Sequence, residues 1–143
     1  MFWFLLACDP QPPVVELRLD TARIEAEPLS TEELLALLED PETASGALDE
    51  LQARGAVEEL EETALHSPDL GARGWAIVGL EGLGQSQDTL KSIQEDAANP
   101  ELLRVWAAAA RVPAASEEEL VELRRQARVW PELERPLKQR GAL

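Results

Sequence analysis

The feature that most constrains this chain is self-similarity at an interval of about 30 residues. Arg73-Gly-Trp75-Ala76 returns as Arg104-Val-Trp106-Ala107, 31 positions later, and each copy follows an acidic residue, Asp69 or Glu101. Leu60, Leu90 and Leu120 are spaced by 30, and Ala97 with Ala127 and Ser86 with Ser116 keep the same interval. An earlier and more degenerate copy aligns Ala47-x3-Leu51 with Ala76-x3-Leu80 at an offset of 29, without the Arg or the Trp. A unit of this length cannot bury its apolar faces alone, so stacking copies against one another is the stable solution.

Local punctuation makes the units helical. Ser30-Thr31-Glu32-Glu33 is a capping box ahead of the apolar run Leu34–Leu38, and Asp40-Pro41, Ser67-Pro68 and Asn99-Pro100 each place a capping residue before a proline at N1. Ser86 and Ser116 precede acidic residues that suit the positive end of a helix dipole. Gly55, Gly84 and Gly141 stand where helices should stop, since glycine accepts the left-handed conformation without a steric penalty. Read together, these signals predict helices of about 10 to 14 residues joined by short turns. Val15 to Asp20 alternates apolar and charged residues like a short strand, but no second strand candidate exists to pair with it. It reads as part of an extended lead-in.

The helix pairs, with Pro start, acidic residue, Arg and Ala-x3-Leu on the first helix of each pair, resemble HEAT repeats of the short bacterial type. The best-matching unit is Asp69-Leu-Gly-Ala-Arg73-Gly-Trp75-Ala76-Ile-Val-Gly79-Leu80-Glu-Gly82-Leu83-Gly84. The resemblance spans residues 30–130 and is best over 67–112. It implies an all-α fold, an α-solenoid (α-α superhelix) of about three to four stacked helix pairs after an extended amino-terminal segment. It also implies a scaffolding or assembly role.

The amino end adds a second resemblance. Met1-Phe-Trp-Phe-Leu-Leu-Ala-Cys8 is wholly apolar and breaks at the single cysteine into Asp9-Pro10-Gln11-Pro12-Pro13. Leu5-Leu6-Ala7-Cys8 resembles the lipobox of bacterial lipoproteins, which implies lipidation at Cys8. Residues 1–8 then read as a truncated signal, 9–29 as a proline-rich, extended tether and 30–143 as the helical-repeat domain. A secretory signal ordinarily carries a basic n-region, and none of the seven residues before Cys8 is basic. That departure points to a start codon further upstream, or else to a hydrophobic terminus with an ordinary buried Cys.

Composition excludes several functions. A net charge of -15 leaves no surplus of Lys and Arg to displace counterions, which argues against a nucleic-acid partner. One Cys and one His rule out an intrachain disulfide and a multi-ligand Cys/His zinc site. No nucleophile elbow, phosphate loop or calcium loop is present, so no catalytic residue, metal, cofactor or small-molecule substrate is expected. His66 reads as a complement to a helix C-terminus. Carboxylate pairs such as Glu58/Glu62 or Asp49/Glu50 lie in solvated runs of like charge and not in the apolar cleft that acid–base work requires. Gly79, Gly82 and Gly84 read as a C-cap and its turn.

Charge is uneven along the chain. Residues 29–66 carry eleven acids against Arg54 alone, a balance of -10, whereas from Arg124 onward the balance is +4. Either the faces are merely solvated, or the acidic half attracts a basic partner or the opposite end of a second copy. Arg73 and Arg104 read in two ways: as partners of the acid near their own helix start or of that of the next repeat, in a ladder that fixes repeat register, or as part of an anion-binding groove that, with Trp75 and Trp106, contacts a partner. The two Trp read as core side chains in equivalent spaces of consecutive layers, or as contacts for a ligand. The expected function is that of a non-catalytic protein-binding module, lipid-anchored through Cys8 in the bacterial cell envelope, with an unidentified and basic protein partner. The alternatives are an enzyme accessory, on the likeness of some short HEAT-like proteins to chromophore-attaching lyase subunits, and a cytoplasmic structural helical protein.

Overall fold

The structure, a computed structural model, describes residues 28–143. Cys8, residues 9–27 of the tether and the Val15–Asp20 alternation lie outside the described residues. Those described form eight α-helices and no strand: α1 Thr31–Leu37, α2 Pro41–Ala53, α3 Val57–His66, α4 Leu70–Leu83, α5 Gln87–Glu95, α6 Glu101–Arg111, α7 Glu117–Gln126 and α8 Glu134–Arg140. Two single 3-10 turns, Val112–Ala114 and Pro131–Leu133, follow α6 and precede α8.

Most of the predicted caps hold. Ser30 and Ser116 form complete capping boxes with Glu33 and Glu119, and Asp40 accepts from the Glu42 N–H with Pro41 at N1. Gly55, Gly84 and Gly141 take φ of 66°, 65° and 77° at helix ends. Two Pro starts are displaced. Ser67 ends α3, and Asp69 caps α4 by accepting from the Ala72 N–H. Asn99 caps nothing: Pro100 precedes α6, and the Asn99 amide is taken by tertiary partners. Ser86 has no side-chain cap bond and sits at φ 70°. The outermost helices, α1 and α8, have 7 residues each, shorter than the predicted range.

The helices pack as neighbours α1–α2, α3–α4 and α5–α6; α2, α4 and α6 lie side by side, and α3 also touches α1 and α5. This packing is consistent with a helical repeat. The Arg–Trp helix is the second of its closest-packed pair, not the first as the repeat alignment suggests, because short turns and an arginine bond tie α4 to α3 and α6 to α5. Leu60, Leu90 and Leu120 occupy matching places on α3, α5 and α7 and are all buried, so the 30-residue spacing is the spacing of one buried position per layer.

Two clusters of buried side chains form the interior. One is built by α1 to α6, the other by α6, α7, α8 and the 3-10 turns. Helix α6 serves both: Leu103, Ala107 and Ala110 face the first, and Val105 and Ala108 face the second. Its alanine run makes this possible, since two opposed faces of one helix are covered at short range only where side chains are small. Helix α4 uses glycine for the same purpose. Gly79 lies inside the helix and Gly82 in its last turn, so neither is the C-cap; a Cβ at Gly79 would strike Leu48 and one at Gly82 would strike Gln52, both of α2. Each glycine costs roughly 1 kcal/mol of helix propensity relative to alanine, which the closer α2–α4 approach offsets. The Gln52 amide then reaches the Gly79 carbonyl at 3.2 Å.

Candidate functional site

The two repeat arginines join successive layers. Arg73 of α4 donates through Nε to the Ala64 carbonyl at 2.8 Å and through Nη2 to Asn99 Oδ1 at 2.9 Å. Arg104 of α6 donates through Nε to the Gln94 carbonyl at 2.9 Å, and its guanidinium lies 5.5 Å from the centre of the Trp130 ring. Ala64 and Gln94 are 30 residues apart and occupy the last turns of α3 and α5, where carbonyls lack intrahelical donors. Each arginine therefore caps the C-terminus of the preceding helix, where its charge also opposes the negative end of the dipole. Asn99 and Trp130 are in turn 31 apart and occupy corresponding loops. Neither arginine pairs with a helix-start acid as expected: Asp69 caps its own helix, and Glu101 accepts from Trp130 Nε1 at 3.0 Å.

Further residues of this network carry no repeat signal in the sequence. Arg111 is fully buried and donates to Gln94 Oε1 by a short bond and to Glu119 Oε2 at 3.3 Å. Burial alone would raise the Glu119 pKa, but hydrogen bonds from Ser116 and Arg111, together with the Arg111 charge, hold it below the usual carboxylate range. Arg140 closes the carboxyl end by donating to the carbonyls of Val112, Pro113 and Ala115. His66 ends α3 and is exposed, and the carboxylate pairs Glu58/Glu62 and Asp49/Glu50 lie on solvated helix faces.

The tryptophans do not occupy equivalent spaces. Trp75 is half-buried against the first core, whereas Trp106 is 41% exposed and lies across Gly74, where a Cβ would collide with its ring. The ring of the second copy rests on a glycine of the helix before it. Together they line a groove of about 590 Å³ between α4 and α6. Leu70, Val78, Leu102 and Trp106 form its exposed apolar surface, at 54%, 45%, 58% and 41% exposure. Scattered apolar side chains on a surface need no explanation, but half of the large exposed ones among the described residues gather here.

Glu81 is the one charged side chain lining the groove. The apolar walls desolvate its carboxyl and push its pKa up. No cation lies within ion-pair distance of it among the described residues. Of the four residues singled out by the repeat, Trp75 and Trp106 thus line this groove, and Arg73 and Arg104 are engaged with helix ends outside its lining. Leu70, Val78, Leu102 and Glu81 escaped the sequence reading. A signal was present, since α4 carries only Arg73 and Glu81 as charges along 14 residues and so is apolar nearly all round.

Among the described residues no three His, Cys, Asp or Glu side chains are grouped to hold a metal ion, and no helix is long and apolar enough to cross a membrane. Compared with protein-family models, curated proteins and solved structures, the chain matches none.

Proposed function

We propose that this chain is a non-catalytic protein-binding module: a short HEAT-like α-solenoid, lipid-anchored through Cys8 in a bacterial cell envelope. The observation that carries the binding part is the open apolar groove between α4 and α6, with Leu102 and Trp106 exposed on a helix whose other faces are committed to two cores. Leaving such a patch in water is unfavourable by roughly 25 cal/mol per Å² of apolar surface, and covering it is the ordinary role of an interface. The layered helix packing supports the solenoid part, since stacked repeats present extended surfaces. The anchor rests on the lipobox-like Leu5-Leu6-Ala7-Cys8 followed by proline-rich chain.

Two measurements test this reading. Expressed in a bacterium with its native upstream region, the protein should partition with membranes and show an intact mass for cleavage before Cys8 plus lipid, and Cys8→Ala should abolish both. An unmodified soluble species that retains residues 1–7 would remove the anchor. A photo-crosslinking amino acid at position 102 should capture a discrete partner in cells, whereas the same group at exposed Glu58 should not. Identical patterns from both positions would remove the binding module.

A further inference from the structure

The groove is more specific than an apolar patch, because its single charge and its backbone surroundings restrict what can fill it. We infer that the α4/α6 groove takes an amphipathic helix of a partner protein, with an apolar ridge along Leu70, Leu102, Trp106 and Val78 and a Lys or Arg at the end that meets Glu81; this rests on the protein-binding reading above.

Three observations lead there. First, apart from Glu81 the lining offers as polar side-chain groups only the indole N–H donors of Trp75 and Trp106, too few to pair an extended backbone, so an occupant that buries backbone must satisfy most of its own N–H and C=O groups. A helix does so, and no strand edge exists among the described residues for an extended peptide to join. Second, the groove has a direction. Leu70 and Leu102 stand at the amino ends of α4 and α6, while Glu81 lies in the last turn of α4. The negative end of that helix dipole therefore adds to the Glu81 carboxylate, and Arg111, the cation at the end of α6, is fully buried and committed to Gln94 and Glu119. Third, a net charge of -15 attracts basic segments at long range and disfavours anionic lipid in the same groove. Partial burial against the groove pushes the Glu81 pKa up, and an incoming cation would favour its charged form.

The probes are two fluorescent 16-residue model helices with the same leucine ridge at i, i+4, i+7 and i+11. One carries Lys at the terminal position that meets Glu81, and the other carries Glu there. Titrated with the full chain at low salt, the Lys helix should bind about tenfold more tightly than the Glu helix. Glu81→Arg should reverse the preference, and Leu102→Glu, at an exposed position that leaves the fold intact, should weaken both helices. Equal affinity for the two probes, unchanged by Glu81→Arg, overturns the basic-helix assignment. Binding of the unlipidated chain to anionic vesicles that competes with the Lys helix overturns it in favour of a lipid site. If neither helix binds while crosslinking at position 102 still captures a partner, only the chemistry assigned to the partner falls. If both fail, the binding module falls with it.

Discussion

The layer joints at Arg73 and Arg104 use the same inner bond and different outer ones. In both, an arginine near the start of one helix reaches a carbonyl in the last turn of the helix before it. Beyond that shared bond, Arg73 is buried and finishes on the Asn99 amide, whereas Arg104 is half-exposed and finishes against the Trp130 ring. The comparison separates what a repeat must keep from what it can vary. The carbonyl is an orphan created by every helix end and must be satisfied in every layer. The outer partner belongs to the next loop, and any group that stabilises a cation can serve there.

The regions flanking the joints differ in kind as well. The first core is sealed by aliphatic packing and by glycines that draw α2 and α4 together. The second is closed by cations, Arg111 inside and Arg140 across three carbonyls. The largest expected effect therefore falls on Arg111. Arg111→Ala should destabilise the protein by about 3 kcal/mol or more in urea unfolding, because it opens a cavity and strands the Gln94 oxygen. Arg111→Met should recover a large part of that loss, since apolar replacement of a buried charge is often tolerated. A loss under about 1 kcal/mol for the alanine variant would break the contrast between the two regions.

A smaller effect sharpens the comparison of the joints themselves. Arg73→Ala should cost about 2 kcal/mol and Arg104→Ala about 1 kcal/mol, because two hydrogen bonds of a buried cation outweigh one such bond and a partly exposed ring contact. Double-mutant cycles with Asn99→Ala and Trp130→Leu measure the outer contacts separately. Equal costs for the two arginines, with no coupling to either outer partner, would leave only the carbonyl bond as functional in both.

The smallest effect is a pH dependence. The folded pKa of Glu119 is lowered, so its contribution is present above the unfolded carboxylate pKa and is lost as pH falls through the lower folded value. Glu119→Gln should thus be less stable than the parent at neutral pH, and the two should converge in acid below the ordinary carboxylate range. A constant difference across that range, followed by thermal unfolding at each pH, would assign the loss to packing instead.

Legibility from sequence followed the range of the interactions. Ser30, Asp40, Ser116, Gly55, Gly84 and Gly141 were readable because a cap is decided within about four residues of chain. Ser67 and Asn99 look like the same signal and are not used that way. Asp69 lies closer to the first turn of α4, and Asn99 is drawn away by Arg73 and the Ile93 carbonyl. The repeat pointed to Arg73, Trp75, Arg104 and Trp106 as positions that matter, but equal spacing could not reveal that the arginines turn to helix ends while the tryptophans meet in a groove. Leu102 and Val78 are indistinguishable in sequence from the buried leucines around them. Arg111 resembles any basic residue in a last turn.

By itself, the sequence determined that the described part of this protein is helical, where most of its helices begin and end, and at what interval buried leucines recur. These follow from backbone capping and from the 3.6-residue period, which act along the chain. The tertiary structure alone decided which faces are covered twice and which are left open, which carbonyls the arginines satisfy, and that Trp106 rests on Gly74 with Glu81 at the groove's end. Those outcomes depend on distances between residues about 30 positions apart, and such distances are set by how closely the small side chains of α4 and α6 allow neighbouring helices to approach.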